Sequence, residues 1–330
     1  MVDGWLIAAD DRTGAYEVAA LLAGVDGVLV TVGEPAEGGG VIDLGTRALN
    51  PADAAAIAAA LPSRGWAGHK IDSTLRGNWA SEVRARRLAT GRRLIVLPGW
   101  PDMGRTCVQG VLRVFDEPAG VVRDQLLEAT LIPHAAGLRA WWSTSGSVAV
   151  CDVPDTEAME ELAATIAGFD ASRVLVAGPA GPLAAVCWAL LGGRPPAPTR
   201  PQIGLPALVV CGSANPVSHR QLGQLRMTHP EVEVLSVPPA AGDLDSAAAV
   251  ALAAEARRRI VAAPPATLVI IGGDTAAAVL GDGPRRVGGM IAPGMPWSRD
   301  PDGGGPLVIT KAGGFGGVDA LARLFAGKTG

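Results

Sequence analysis

Short aliphatic runs alternate with alanine-rich stretches of helical length along nearly the whole chain, and this rhythm limits the fold more than any other feature. Trp5–Ala9 reads as a strand, Thr13–Ala23 as a helix, Gly27–Val32 as a strand and Ala52–Leu61 as an alanine helix. Leu94–Leu97, Val148–Cys151 and Arg173–Ala177 read as further strands, the last two joined by a helix over Glu157–Ile166. A strand followed by a helix and another strand, repeated, is the pattern of a mostly parallel α/β sheet with crossover helices.

The run Gly192-Gly193-Arg194-Pro195-Pro196-Ala197-Pro198-Thr199-Arg200-Pro201 interrupts the rhythm. Its proline density predicts an extended, semi-rigid linker. The alternation then resumes with strands at Ala207–Cys211, Glu233–Val237, Leu268–Ile271 and Leu307–Thr310, and helices at Pro216–Met227, Ala247–Ala262, Thr275–Leu280 and Gly317–Phe325. At 330 residues and 48% hydrophobic content the chain suits two ordinary cores. The expected organisation is a first domain over 1–191, a linker over 192–206 and a second domain over 207–330, with no internal repeat. Each is an α/β domain with a mostly parallel sheet, and the active site is expected in the cleft between them.

A net charge of −4 argues against general affinity for nucleic acid or anionic membrane. Clusters such as Arg84-Ala85-Arg86-Arg87 and Arg257-Arg258-Arg259 are expected to be solvated helix faces. No signal peptide is read at the start, and no apolar run reaches membrane-spanning length. The four cysteines, Cys107, Cys151, Cys187 and Cys211, form no CxxC pair and read as buried thiols of a reducing cytoplasm. The four histidines show no HxxxH or HExxH spacing, so no dedicated metal site is expected.

The densest chemistry lies in Lys70-Ile71-Asp72-Ser73-Thr74-Leu75-Arg76-Gly77-Asn78. An ammonium, a carboxylate, two hydroxyls, a guanidinium and an amide share nine residues, with Ile71, Leu75 and Gly77 as spacers. That mixture suits a small, anionic, hydroxyl-rich ligand: arginine forks a carboxylate, lysine adds a point charge, and the hydroxyls and amide read OH groups. A polar loop closed by its own hydrogen bonds is the competing reading. The chain has only three lysines, Lys70, Lys311 and Lys328, and two of them sit in polar motifs.

Asp10-Asp11-Arg12-Thr13-Gly14 follows the first strand and opens a helix, where open α/β sheets bind ligands. Thr13 is expected to cap the helix and leave Asp10 and Asp11 facing the crevice, although an ordinary acidic turn reads equally well. Arg105, past another strand, is a candidate anion contact, and Asp43-Leu44-Gly45-Thr46-Arg47 ends a short strand in the same way.

The second domain carries glycine instead of charge at its motifs. Cys211-Gly212-Ser213, Ile271-Gly272-Gly273-Asp274-Thr275 and Lys311-Ala312-Gly313-Gly314 each follow a strand, and Met290–Pro296 reads as a turn-rich loop. Such turns expose backbone N–H groups that suit phosphate, and several on one small domain point to a nucleotide. Gly327-Lys328-Thr329 imitates the end of a P-loop, but Ala322 stands where its first glycine belongs. No G-x-G-x-x-G follows the first strand, which disfavours a dinucleotide site.

Together these motifs resemble the four-carbon acid sugar kinases, long catalogued as a domain of unknown function. The resemblance runs through Ala9-Asp10-Asp11-x-Thr13-Gly14-Ala15, the Lys70–Asn78 motif, Pro101-x-x-Gly104-Arg105-Thr106, Gly212-Ser213, Gly272–Thr275, Pro293-Gly294-x-Pro296 and Thr310-Lys311-x-Gly313-Gly314-Phe315-Gly316. It implies ATP-dependent phosphorylation of threonate, erythronate or their oxo relatives, with the acid sugar on the first domain and ATP on the second. Asp10, Asp11, Arg47, Lys70, Asp72, Ser73, Thr74, Leu75 and Arg76 would line the substrate pocket. Ser213, Gly272, Gly273, Asp274, Thr275 and Gly314 would hold ATP, with Gly294 and Gly313 in adjoining turns. The chain departs from the family at Arg12, Tyr16-Glu17 and Gly45-Thr46, and it is shorter than typical members. Arg12 near the pocket is expected to favour a larger or more acidic substrate.

The expected reaction is in-line transfer of the γ-phosphoryl group, assisted by Mg²⁺ held mostly through phosphates. The substrate carboxylate would meet Arg76 and Lys70. Asp72 or Asp11 would orient or deprotonate the acceptor hydroxyl, and Lys311 or the turn amides would stabilise phosphoryl charge. A non-catalytic sensor of acid sugar and nucleotide, or an NAD(P)-dependent oxidoreductase, are the alternatives. A homodimer is possible for any of the three.

Overall fold

The structure is a computed structural model and describes residues 4–62, 65–239 and 246–326. The chain forms two compact units, one of residues 4–22 and 30–196, the other of residues 23–29 and 197–326. Gly327-Lys328-Thr329 lies outside the described residues.

In the first unit the strands are β1 (Trp5–Ala9), β2 (Val28–Val32), β3 (Gly40–Asp43), β4 (Trp66–Lys70), β5 (Arg93–Val96), β6 (Arg105–Val108), β7 (Val111–Val114), β8 (Glu117–Val121), β9 (Thr130–Ile132), β10 (Val148–Cys151) and β11 (Val174–Gly178). Its helices are α1 (Arg12–Leu22), α2 (Pro51–Ala59), α3 (Trp79–Thr90), α4 (Val122–Gln125), α5 (Ala135–Trp142), α6 (Thr156–Ala167) and α7 (Ala180–Leu190). The main sheet runs β2-β3-β1-β4-β11-β5-β10-β9 with every pair parallel. Parallel strands covered on both faces read as continuous apolar runs, as in β11, buried throughout. Strands β6, β7 and β8 form a small antiparallel sheet of their own.

The order in which strands are laid down reverses at β1, with β3 on one side and β4 on the other. Ala9 is in register with both Asp43 and Lys70, so the segments leaving these three strands start side by side. Such a switch point is where open parallel sheets bind ligands.

In the second unit the strands are β12 (Ala207–Cys211), β13 (Glu233–Ser236), β14 (Thr267–Ile271), β15 (Arg285–Ala292), β16 (Met295–Arg299) and β17 (Leu307–Lys311). Its helices are α8 (Pro216–Thr228), α9 (Ser246–Ala262), α10 (Gly273–Leu280) and α11 (Ala322–Phe325). The strand order is β13-β12-β14-β17-β16-β15, parallel from β13 to β17 and antiparallel beyond. Two apolar clusters, one around Val209, Ile271 and Phe325 and the other around Val210, Ile270 and Ala276, pack its strands and helices together.

Two expectations need correction here. Met290–Pro296 is a hairpin, not a loop: β15 and β16 flank a Pro293-Gly294 turn in which Gly294 has φ of 69°. The expected helix over Gly317–Phe325 is confined to Ala322–Phe325, because Gln221 Nε2 donates to the carbonyls of Phe315, Gly316 and Gly317 and holds that stretch as a turn. Helix α7, apolar nearly all round, carries no amphipathic rhythm and was not legible as a helix.

Candidate functional site

The Lys70 motif begins as β4 ends, and its apolar spacers fix it. Ile71, Leu75 and Trp79 are buried in one cluster with Leu94, Val96 and Val122. Leu75 has φ of 62°, a left-handed conformation unusual for a branched side chain. Its side chain belongs to the core, which corrects its expected place against substrate. Between these anchors the polar residues loop outward. Asp72 Oδ2 accepts from Thr74 Oγ1 (2.6 Å), Thr74 N (3.0 Å) and Arg76 Nε (3.0 Å), and Oδ1 accepts from Arg76 Nη2 (2.8 Å). Burial tends to raise the Asp72 carboxyl, but these bonds outweigh it and hold the group well below the usual carboxylate range. Arg76 is raised by its bonds to Asp72, and its side chain remains 70% exposed.

Asp10 and Asp11 leave β1. Asp11, not Thr13, caps α1: its Oδ1 accepts from Gly14 N (2.8 Å), and its Oδ2 accepts from Thr13 Oγ1 (2.6 Å). Arg47, beyond β3, reaches across to both aspartates. Its Nε and Nη2 each lie 2.8 Å from an Asp10 oxygen, its Nη1 is 2.9 Å from Asp11 Oδ2, and Nη2 is 3.7 Å from Asp72 Oδ1. Burial pushes the Asp10 carboxyl up while the Arg47 fork pulls it down, and Arg47 is held more firmly protonated than usual by its bonds to Asp10. One guanidinium thus ties three expected site residues into a fixed array.

Asn78 was expected to read ligand hydroxyls. Its Nδ2 instead donates to Thr46 O (3.0 Å) and Leu49 O (2.7 Å), bracing the segment that carries Arg47. Arg12 is buried, with Nε 2.7 Å from Asp43 Oδ2, so it is a structural ion pair and not the expected extra contact for an acidic substrate. One layer below, His69 Nε2 lies 2.8 Å from Glu82 Oε2, both fully buried, and joins β4 to α3.

Lys70 is buried beside α1, with Nζ 4.0 Å from Glu17 Oε2. Gly14 lets them meet: a Cβ there would stand 2.6 Å from Asp11 Oδ1 and 2.9 Å from Lys70 Nζ. Burial raises the Glu17 carboxyl, with Lys70 opposing and Asp11 adding to the rise. In sequence Glu17 stands out only as a departure from the family pattern. Its place one helical turn past Gly14 was the available signal. Arg105, on β6, acts electrostatically on Glu17, donates to Met103 O and lies over the Phe115 ring at 5.5 Å. Ser73, half-buried, sits in the same loop. A depression of about 450 Å³ lined by Trp100, Asp102 and Trp188 includes none of these residues.

In the second unit the turns after the neighbouring strands β12, β14 and β17 interlock. A Cβ on Gly212 would overlap Thr275 Oγ1, and one on Gly313 would overlap Ser213 Oγ. Gly272, with φ of 111°, leads into α10, whose first turn holds Gly273, exposed Asp274 and buried Thr275. The Gly294 turn meets the Phe315 ring, 3.2 Å from where a Cβ would sit. Gly314 is exposed in the last turn.

Lys311 is fully buried, and its Nζ donates to Ala312 O (3.0 Å) and Gly313 O (3.1 Å). Burial lowers its pKa to about 8. This ammonium points into its own turn, not outward toward phosphoryl charge. Ser218 Oγ donates to Gly313 O (2.7 Å), so the carbonyls of the glycine turn are drawn inward from several sides. A cradle too tight for a Cβ, with carbonyls held inward, fits a phosphate chain. The four cysteines are free and buried, which raises their thiols. Among the described residues no helix is long and apolar enough to cross a membrane.

Family comparisons match residues 5–135 to a sugar-binding N-terminal domain and residues 241–321 to a nucleotide-binding C-terminal domain. A D-threonate kinase of Cupriavidus necator is 32% identical, covering 74% of this chain and 70% of the relative. A D-threonate kinase of Bordetella bronchiseptica is 30% identical, covering 96% of this chain and 95% of the relative. Among solved structures, a Haemophilus influenzae protein of the DUF1537 family superposes with a TM-score of 0.70 at 21% identity, covering 97% of this chain and 98% of that one.

Proposed function

The chain belongs to the four-carbon acid sugar kinase family, and on that premise we propose that it transfers the γ-phosphoryl group of ATP to a hydroxyl of a short sugar acid such as threonate, erythronate or an oxo-tetronate. The observation that carries this reading is the array at the ends of β1, β3 and β4, where Arg47 and Arg76 are held in place by Asp10, Asp11 and Asp72 and Lys70 is buried beside them. Fixed cations interleaved with carboxylates and hydroxyls suit a ligand with one carboxylate and several OH groups.

In this reading the exposed edge of Arg76 takes the substrate carboxylate, and Lys70 adds a point charge deeper in. Ser73 and Thr74 meet substrate hydroxyls. Asp11 and Asp72 keep the arginine forks aimed. ATP lies along the turns carrying Ser213, Gly272 to Thr275 and Gly314, with amide N–H groups toward its phosphates. Lys311 positions the last turn by holding two of its carbonyls.

Mg²⁺, when bound with the nucleotide, supplies neutralisation of phosphate charge. Among the described residues no group of three or more His, Cys, Asp or Glu side chains could hold a metal. Exposed Asp274, beside the phosphate turns, is the carboxylate that would add to an ion carried mainly by phosphate oxygens. In-line transfer is then a matter of positioning and charge. The four buried thiols suit work in the cytoplasm, and a homodimer is checked by light scattering.

The test is an ADP-release screen with MgATP against threonates, erythronates and their oxo forms, with Asp72→Asn as control. Turnover with one acid that collapses in the variant supports the reading. Saturable ATP binding with no turnover on any acid would favour a sensor.

A further inference from the structure

Five carboxylates gather at this end of the first unit, and four are engaged by protein donors, Asp43 by Arg12 Nε and Gly45 N. Both Asp10 oxygens accept from Arg47, both Asp11 oxygens accept from Gly14 N, Thr13 or Arg47, and both Asp72 oxygens accept from Thr74 or Arg76. A base needs an oxygen able to receive a proton, and every oxygen of these four already accepts from a protein donor. Glu17 differs. Its ion pair with Lys70 is 4.0 Å long, beyond hydrogen-bond length, and its side chain is 17% exposed. It lies on the first helix after the Asp10-Asp11 turn, and burial raises its carboxyl.

We propose that Glu17 accepts the proton of the sugar acid's attacking hydroxyl, a role that rests on the kinase reading above. The hydroxyl oxygen forms the new bond to the γ-phosphorus, and the bond from that phosphorus to the β,γ-bridging oxygen breaks. ADP leaves with the electron pair, and the hydroxyl proton passes to Glu17 and then to water. Burial favours the neutral form of Glu17 and the Lys70 and Arg105 charges favour the ionised form that accepts the proton, while the Asp11 and Asp72 charges oppose it. The identity of Glu17 as base also explains why Asp11 and Asp72 can stay locked on their neighbours throughout the reaction.

The test measures kcat, KM and their pH dependence for wild type, Glu17→Gln and Glu17→Asp with MgATP and the acid identified by the screen. The expected result is a fall in kcat of about 100-fold or more in Glu17→Gln. KM for the acid and stabilisation by ATP change little, the acidic limb of the kcat profile disappears, and Glu17→Asp recovers part of the rate with the limb displaced. If Glu17→Gln does not fold, the displaced limb in Glu17→Asp supports the role and an unmoved limb overturns it. Glu17→Gln turnover within threefold of wild type with the same acidic limb overturns the inference and leaves the kinase reading standing. Absence of turnover in wild type on every acid overturns the kinase reading first, and the base assignment with it.

Discussion

Arg47 holds Asp10 by two nitrogens along one edge of its guanidinium, Nε to Oδ2 at 2.8 Å and Nη2 to Oδ1 at 2.8 Å, across 37 positions of sequence. The bidentate pair makes the turn after β3 and the turn after β1 a single object. Removing the arginine would leave a fully buried carboxylate without its partner. Arg47→Ala is expected to cost about 3 kcal/mol in denaturant unfolding. Arg47→Lys keeps the charge but loses the fork, so it should cost less stability yet raise KM for the acid at least tenfold. Equal loss of stability in the two variants would mean that charge alone matters here.

Acid stability should report on Asp72. Its pKa is depressed by Arg76 and Thr74 despite burial, so its contribution is fully present above the unfolded value of about 3.9 and is lost as pH falls through the lower folded value. Asp72→Asn should therefore be less stable than wild type at pH 7, with the gap closing as pH drops below about 4. Urea melts at stepped pH read this directly, and a gap that stays constant would show that Asp72 is not held ionised.

Lys311 has the opposite pH window. Its pKa is lowered by burial to about 8, so above that value the folded state sheds a proton that the unfolded lysine keeps to about 10.4. The unfolded state then binds more protons, and stability rises with pH across this interval. The shift is equivalent to about 3 kcal/mol at most. The buried Cys211 thiol, raised by desolvation, works against this trend in both proteins. The stability of wild type minus that of Lys311→Met should thus climb from pH 8 to 10, and a flat difference would place the ammonium in solvent.

Gly212→Ala is expected to separate the two binding functions. The added methyl meets Thr275 Oγ1, and β-branched threonine has little freedom to turn away. Stabilisation by ATP should fall at least tenfold in apparent affinity, while stabilisation by the acid sugar persists. Loss of both together would mean the substitution unfolds more than its own turn.

Nucleotide choice gives a further check. ATP at saturating concentration should raise the melting temperature, and NAD or NADP at the same concentration should not. A larger shift with NAD(P) would restore the oxidoreductase reading.

Much of this was legible in sequence because parallel strands announce themselves. β1, β10 and β12 have the same bounds in sequence and structure, since a strand buried on both faces is an apolar run with polar ends. Strand β4 was not legible: Trp66-Ala67-Gly68-His69-Lys70 holds a glycine, a histidine and a lysine, and its burial depends on Glu82 accepting His69 from another element. The polar motifs stood out by composition, but composition does not say which polar atom faces which. Asn78, Arg12 and Lys311 have the right chemistry for ligand contact, yet each has a partner within the protein. Glu17 showed no such density around it in sequence, because Lys70 reaches it from a strand 53 residues away.

The interlocking turns of the second unit have a consequence for evolution and engineering. Thr275 fills the space a side chain at Gly212 would need, and Ser213 does the same for Gly313. A substitution in any one turn is therefore judged by the residue opposite, and single changes should look uniformly harmful in a mutational scan. Altered nucleotide preference should emerge only from libraries that vary positions 212 with 275, or 213 with 313, at the same time.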